Sequence, residues 1–146
     1  MRFAALVLFL STTAFASAAD FAIVRVWPAW RSEKSFERIS EYFTKTEPTT
    51  RETVLRTHPD YRSGFYFLTR VQHHGSVTTK ATFRLQVITP AGAEPKTFTF
   101  PADIPPGSHV YHLGLTGSDW NDINARPVAW KIDLVGADDK VLASEQ

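Results

Sequence analysis

The clearest alternation of apolar and polar positions lies in ATFRLQVIT, where Phe83, Leu85 and Val87 fall on one face and Thr82, Arg84 and Gln86 on the other. A period of two is the signature of a half-buried strand. The same reading applies to GFYFLTRVQ, with Phe65, Phe67, Thr69 and Val71 facing one way and Tyr66, Leu68 and Arg70 the other. KTFTF, SHVYHLGLT and the terminal VAWKIDLVGADDKVLASE continue the series, the last as a hairpin turning at Gly136 to Asp139. In that hairpin Val128, Trp130, Ile132 and Leu134 are expected to share a face. Near the start, DFAIVRVW alternates as well, with Phe21, Ile23, Arg25 and Trp27 on one side, and Pro28 is expected to stop the strand. A short strand is expected at Glu52 to Arg56, ahead of the turn residues His58-Pro59-Asp60 and Ser63-Gly64.

One segment changes period. In RSEKSFERISEYFTK, Phe36, Ile39 and Phe43 recur at helical spacing while Glu33, Lys34, Glu37, Arg38, Glu41 and Lys45 face away. This predicts an amphipathic helix over about 33–45, capped by Ser32, with its apolar stripe against the strands.

Seven or eight short strands separated by frequent turns predict an antiparallel β-sandwich. The succession GFYFLTRVQ, ATFRLQVIT, KTFTF, SHVYHLGLT and VAWKIDLVGADDKVLAS resembles the immunoglobulin-like sandwiches of exported bacterial proteins, over roughly Gly64 to Gln146. WPAWRSEKSFERISEYF also resembles the opening of uncharacterised secreted bacterial proteins. The resemblance implies an architecture and no activity: a mainly β, immunoglobulin-like sandwich with one helix inserted after the first strand. The Cys–Trp–Cys core of true immunoglobulin domains has no counterpart, because the chain has no cysteine.

The ends and the composition narrow the setting. Met1-Arg2, the apolar run Phe3–Leu10 and the small residues through Ala19 read as a signal peptide, 1–19, cleaved after Ala18 or Ala19. The apolar run falls short of the ~20 residues that span a bilayer, so no membrane span is expected in the mature chain. Residues 20–146 are then one exported domain, periplasmic or extracellular. Without cysteine there are no disulfides, thiolate nucleophiles, cysteine zinc sites or iron–sulfur clusters, and apolar burial alone must hold the fold. Charge is split: Asp20–Arg84 carries eleven basic and seven acidic residues, a net of +4, whereas Leu85–Gln146 carries four and eight, a net of −4. The two halves are expected to attract one another within the fold. The balance between them leaves no global field for nucleic acid.

Three groups of residues are candidates for chemistry. Arg51, Arg56, Arg62 and Arg70 could converge on an anion, because guanidinium forks suit planar oxyanions; the alternative is that they pair with Glu52, Asp60 and the acidic half, leaving this stretch a loop that feeds a core strand. Asp119, Asn121 and Asp122 cluster side-chain oxygens that suit Ca²⁺ in an exported protein, although the spacing of an EF-hand is missing. Such residues also close Asx-turns. The histidines are poorly spaced for a metal: His73 and His74 are adjacent and expected at a solvent-facing turn, and His109 and His112 fall on opposite strand faces. No metalloprotease, nucleophile-elbow, phosphate-loop or dinucleotide motif occurs, and Ser76, Ser108 and Ser118 follow glycines outside any elbow. No catalytic residue and no cofactor is therefore expected. The pattern points to an exported envelope interaction or ligand-binding module, with an envelope protein or a small anionic ligand as partner. The alternative is a small secreted hydrolase whose site assembles only in three dimensions, which a concave pocket holding paired carboxylates or a Ser–His pair would favour.

Overall fold

The computed structural model describes residues 19–37 and 52–146. Among these residues eight strands follow one another: β1 (Phe21–Arg31), β2 (Glu52–Arg56), β3 (Gly64–His73), β4 (Thr79–Ile88), β5 (Lys96–Ile104), β6 (Gly107–Thr116), β7 (Ala129–Gly136) and β8 (Val141–Glu145). They form two four-stranded sheets, ordered β1-β3-β6-β2 and β5-β4-β7-β8. All pairings are antiparallel except β2 with β6. The expected leader lies outside the described residues, apart from Ala19. Among the described residues no helix is long and apolar enough to cross a membrane.

The alternating residues of β3, β4, β6 and β7 meet between the sheets in one core. Phe65, Phe67 and Val71 from the first sheet, with Tyr111, Leu113 and Leu115, pack toward Phe83, Leu85, Val87, Ile132 and Leu134 of the second. Each is almost wholly removed from water. The period-two readings of β3 and β4 therefore describe the inward faces correctly. Val128 does not join its expected face; it precedes β7 and is exposed.

Strand β1 departs from its expected pattern twice. It runs through Pro28, which an edge strand tolerates because its outer side needs no ladder donor. It also carries a bulge: Ile23 pairs with Val71 but Arg25 pairs with Arg70, so Val24 is an extra residue. The bulge reverses the phase of the strand. Phe21 and Ile23 stay in the core, Val26 and Trp30 pack against it, and Arg25 and Trp27 turn to the outer face of the sheet.

The expected helix over about 33–45 is not found in its described part. A single 3-10 turn spans Glu33–Phe36, and Glu37 is already extended. Local side-chain bonds compete with the helix: the Ser35 hydroxyl donates to the Ser32 carbonyl at 2.6 Å, and Arg31 donates to the Ser35 hydroxyl and carbonyl. Ile39 and Phe43 lie outside the described residues. Phe36 is buried on the outer face of the first sheet, its ring 4.7 Å from that of Tyr66 and flanked by the guanidiniums of Arg31 and Arg56.

Charge crosses between the two halves of the chain as their composition suggests. Lys80 meets Asp103 at 3.1 Å, and Arg84 meets the buried Asp133 at 3.1 Å. Burial on its own would raise the Asp133 carboxyl, but hydrogen bonds from Ser144 and Arg84, with the charges of Lys131 and Arg84, hold it below the usual 3.8. A depressed carboxyl stabilises the fold fully above its unfolded value, and that stabilisation is lost as pH falls through the lower folded value. Asp133→Asn is accordingly expected to lower the melting temperature at pH 7 and to flatten its fall below about pH 4. Thermal melts of both proteins at pH 7 and pH 3 check this, and parallel curves would remove Asp133 from the acid response.

Candidate functional site

The loop between β2 and β3 is pinned to the end of β6 by a reciprocal lock. Thr116 Oγ1 accepts from the His58 amide at 3.0 Å and donates to the His58 carbonyl at 2.9 Å, while the Thr116 amide donates to Thr57 Oγ1 at 3.1 Å. His58-Pro59-Asp60-Tyr61 then closes a turn through the Tyr61 amide and the His58 carbonyl. Opposite it, Gly117 bends the chain out of β6 with a φ of +59°, and a Cβ there would press on the His58 and Tyr61 rings at 3.1 and 3.2 Å. Only glycine suits both the conformation and the close approach.

These two loops and Trp30 enclose an open pocket of about 530 Å³, lined by Trp30, His58, Tyr61, Ser63, Gly117, Ser118, Trp120 and Asn121. Trp120 is buried: its ring lies 4.8 Å from Phe65, and its indole N–H donates to the Asp122 carbonyl at 3.1 Å. Tyr61 is the exposed aromatic, 58% accessible, and stands edge-on to His58. A larger space of about 650 Å³ opens between β2 and β5, but its lining is mainly aliphatic and backbone, and its charges, Lys80 and Asp103, already pair. The smaller pocket holds the richer chemistry.

The His58 Nε2 lies 3.0 Å from Asp119 Oδ2 and 3.4 Å from Ser118 Oγ. A serine nucleophile needs a carboxylate on one ring nitrogen of the histidine and the hydroxyl on the other. Here both meet the same nitrogen. With its proton directed to Asp119, Nε2 has no lone pair to accept the Ser118 proton. The arrangement orients a donor–acceptor rim and does not form a relay.

The expected oxygen cluster is divided among separate tasks. Asp119 engages His58, Asp122 Oδ1 accepts the Asn124 amide at 2.8 Å in an Asx-turn, and Asn121 lines the pocket. Among the described residues no three His, Asp or Glu side chains are grouped to hold a metal.

The arginines are also dispersed. Arg51 lies outside the described residues. Arg56 and Arg62 are joined through Tyr66, whose hydroxyl accepts from Arg56 Nε at 2.8 Å and donates to the Arg62 carbonyl. Arg70 is registered with Val110 of β6 and Arg56 with Gly114, so about 13 Å of strand separates their rows. Arg70 lies instead beside Arg25, which the alternation of β1 had assigned to the other face. The expectation for His73 is corrected as well. It is buried, stacked 4.2 Å from Phe21, and its Nδ1–H donates to the Ile104 carbonyl. His112 is buried too, accepting from Arg31 at Nδ1 and meeting Glu52 at Nε2, 3.4 Å away. His73 on β3 and His112 on β6 are thus structural polar contacts on opposite faces of the first sheet.

No known protein-family model matches the chain, nor does any curated protein or solved structure.

Proposed function

We propose that this chain is an exported, non-catalytic ligand-binding module built on an immunoglobulin-like sandwich, and that its ligand is a largely uncharged polyhydroxylated molecule such as a sugar unit. The strand order supports the immunoglobulin-like reading, since β3 and β4 lie in different sheets, as do β5 and β6, and β6 and β7. The export reading rests on the apolar leader and its small-residue end. The observation that carries the binding reading is the pocket of Trp30, Tyr61 and Trp120 interleaved with Ser63, Ser118, Asn121 and the His58 ring. A sugar ring has an apolar C–H face and a hydroxyl rim, which suits an exposed tyrosine beside neutral donors and acceptors.

The Ser118–His58 contact is the one observation in favour of a hydrolase. The shared Nε2 argues against it, because the carboxylate is the nearer partner.

Titration with cellobiose, maltose and chitobiose, followed by tryptophan fluorescence and amide chemical shifts, tests the proposal. At least one disaccharide is expected to shift the amides of Tyr61, Ser118 and Asn121. Tyr61→Ala is expected to weaken that binding about tenfold, the loss of roughly 1.4 kcal/mol of contact. Binding to none of the three, together with covalent labelling of Ser118 by a fluorophosphonate, would replace the module with the hydrolase.

A further inference from the structure

The outer face of the first sheet carries a second arrangement, independent of the pocket. Arg25 and Arg70 are direct cross-strand partners on β1 and β3. Both guanidiniums lie over one indole: the Arg25 carbon is 4.6 Å and the Arg70 carbon 5.5 Å from the centroid of the Trp27 ring. Like charges placed opposite one another weaken a strand pair. A structural explanation would require a carboxylate to neutralise them, and among the described residues none lies within 4 Å of either. Both side chains are exposed. Elsewhere on this face lie Arg31, Arg56 and Glu52, the last engaged by His112.

The bulge makes this juxtaposition. Without the extra residue Val24, Arg25 and Trp27 would continue the phase of Phe21 and Ile23 into the core. Bulges commonly re-aim a side chain at a functional position. The indole attracts both cations by its π-face and lowers the penalty of holding them together. Their N–H edges remain available for an acceptor, and a guanidinium fork matches a tetrahedral or planar oxyanion.

We propose that Arg25 and Arg70, seated over Trp27, form a clamp for an oxyanion carrying more than one negative charge, of the phosphate-monoester or sulfate class. A dianion would cancel both charges and relieve their repulsion. The free protein is then held slightly strained and the bound protein is not.

The test uses the leaderless chain, residues 20–146, with inorganic phosphate as probe and chloride at matched ionic strength as reference, since general screening acts in both. Phosphate at a hundredfold excess over its Kd is expected to raise the melting temperature by about 5 °C or more beyond chloride, with a change in tryptophan fluorescence. Arg70→Gln is expected to abolish the phosphate response and to raise the melting temperature in chloride, because it removes the repulsion. Arg62→Ala is expected to leave the phosphate response intact. Equal melting in phosphate and chloride would overturn the clamp, as would a phosphate response that persists in Arg25→Gln/Arg70→Gln. A phosphate-monoester headgroup on a lipid shares this chemistry, so phosphatidic acid and phosphatidylcholine vesicles form a second arm. Sedimentation with the phosphatidic acid vesicles together with the free-phosphate response would place the clamp's ligand on a lipid. Sedimentation without any response to free phosphate would overturn the clamp in favour of diffuse surface attraction.

Discussion

Phe67→Ala is expected to destabilise the fold by about 3–5 kcal/mol, the range for truncating a buried phenylalanine. Phe67 is fully buried in the first sheet, with its ring 5.4 Å from Phe65 and 5.8 Å from Trp130 of the second. Its removal empties the space between the layers where neither sheet can collapse without dragging its neighbours. Without disulfides there is no covalent constraint to compensate. For a domain of this length the loss corresponds to a melting temperature lower by roughly 10 °C or more. Val77→Ala is the control: Val77 is exposed, and its truncation is expected to fall within about 0.5 kcal/mol of zero. Chemical denaturation of the two variants decides it, and a Phe67→Ala loss under roughly 1 kcal/mol would show that the two sheets do not share a packed core.

Gly114→Ala is expected to be destabilising by about 1–3 kcal/mol through overpacking, although it adds a single methyl group on the outer face of a sheet. Gly114 is the cross-strand partner of Tyr66, and a Cβ at that position would lie 2.3 Å from Tyr66 Cε1. The ring cannot swing away cheaply. Tyr66 is fully buried, packs on Phe36, and its hydroxyl links Arg56 to the Arg62 carbonyl. Displacing the ring would loosen the turn at Phe36 and the approach to β3 together. Tyr66→Ala removes the obstacle, so Gly114→Ala is expected to be nearly neutral in that background. A double-mutant cycle measures the coupling. Additive effects in the cycle would mean that the glycine is not there to admit the ring.

The core was legible where one face of a strand meets the other sheet and the other face meets water. Phe83, Leu85 and Val87 on β4 meet that condition, so period two was enough to place them. The same rule misjudged β1, because a bulge adds one residue without changing the composition that the eye follows. It also missed Tyr66 and His112, which are buried on the outer face beneath Phe36 and its neighbours. A helical stripe predicts which residues seek burial, and Phe36 does; it does not predict that Ser32, Ser35 and Arg31 would hold the chain in a 3-10 turn.

By itself the sequence determined the class of the fold, most of the strands and the inward faces of the central ones, since each follows from local periodicity and turn chemistry. It also determined that no cysteine chemistry takes part. The pocket needed Trp30, the 58–63 loop and the 117–121 loop, which are separated by tens of residues and are brought together by strand pairing and by the contacts of His58 with Thr116, Ser118 and Asp119. Arg25 and Arg70 are likewise brought together by strand pairing and by a bulge at Val24. Proximity between distant positions is a property of register and sheet order, and register is decided by the packing of both sheets at once.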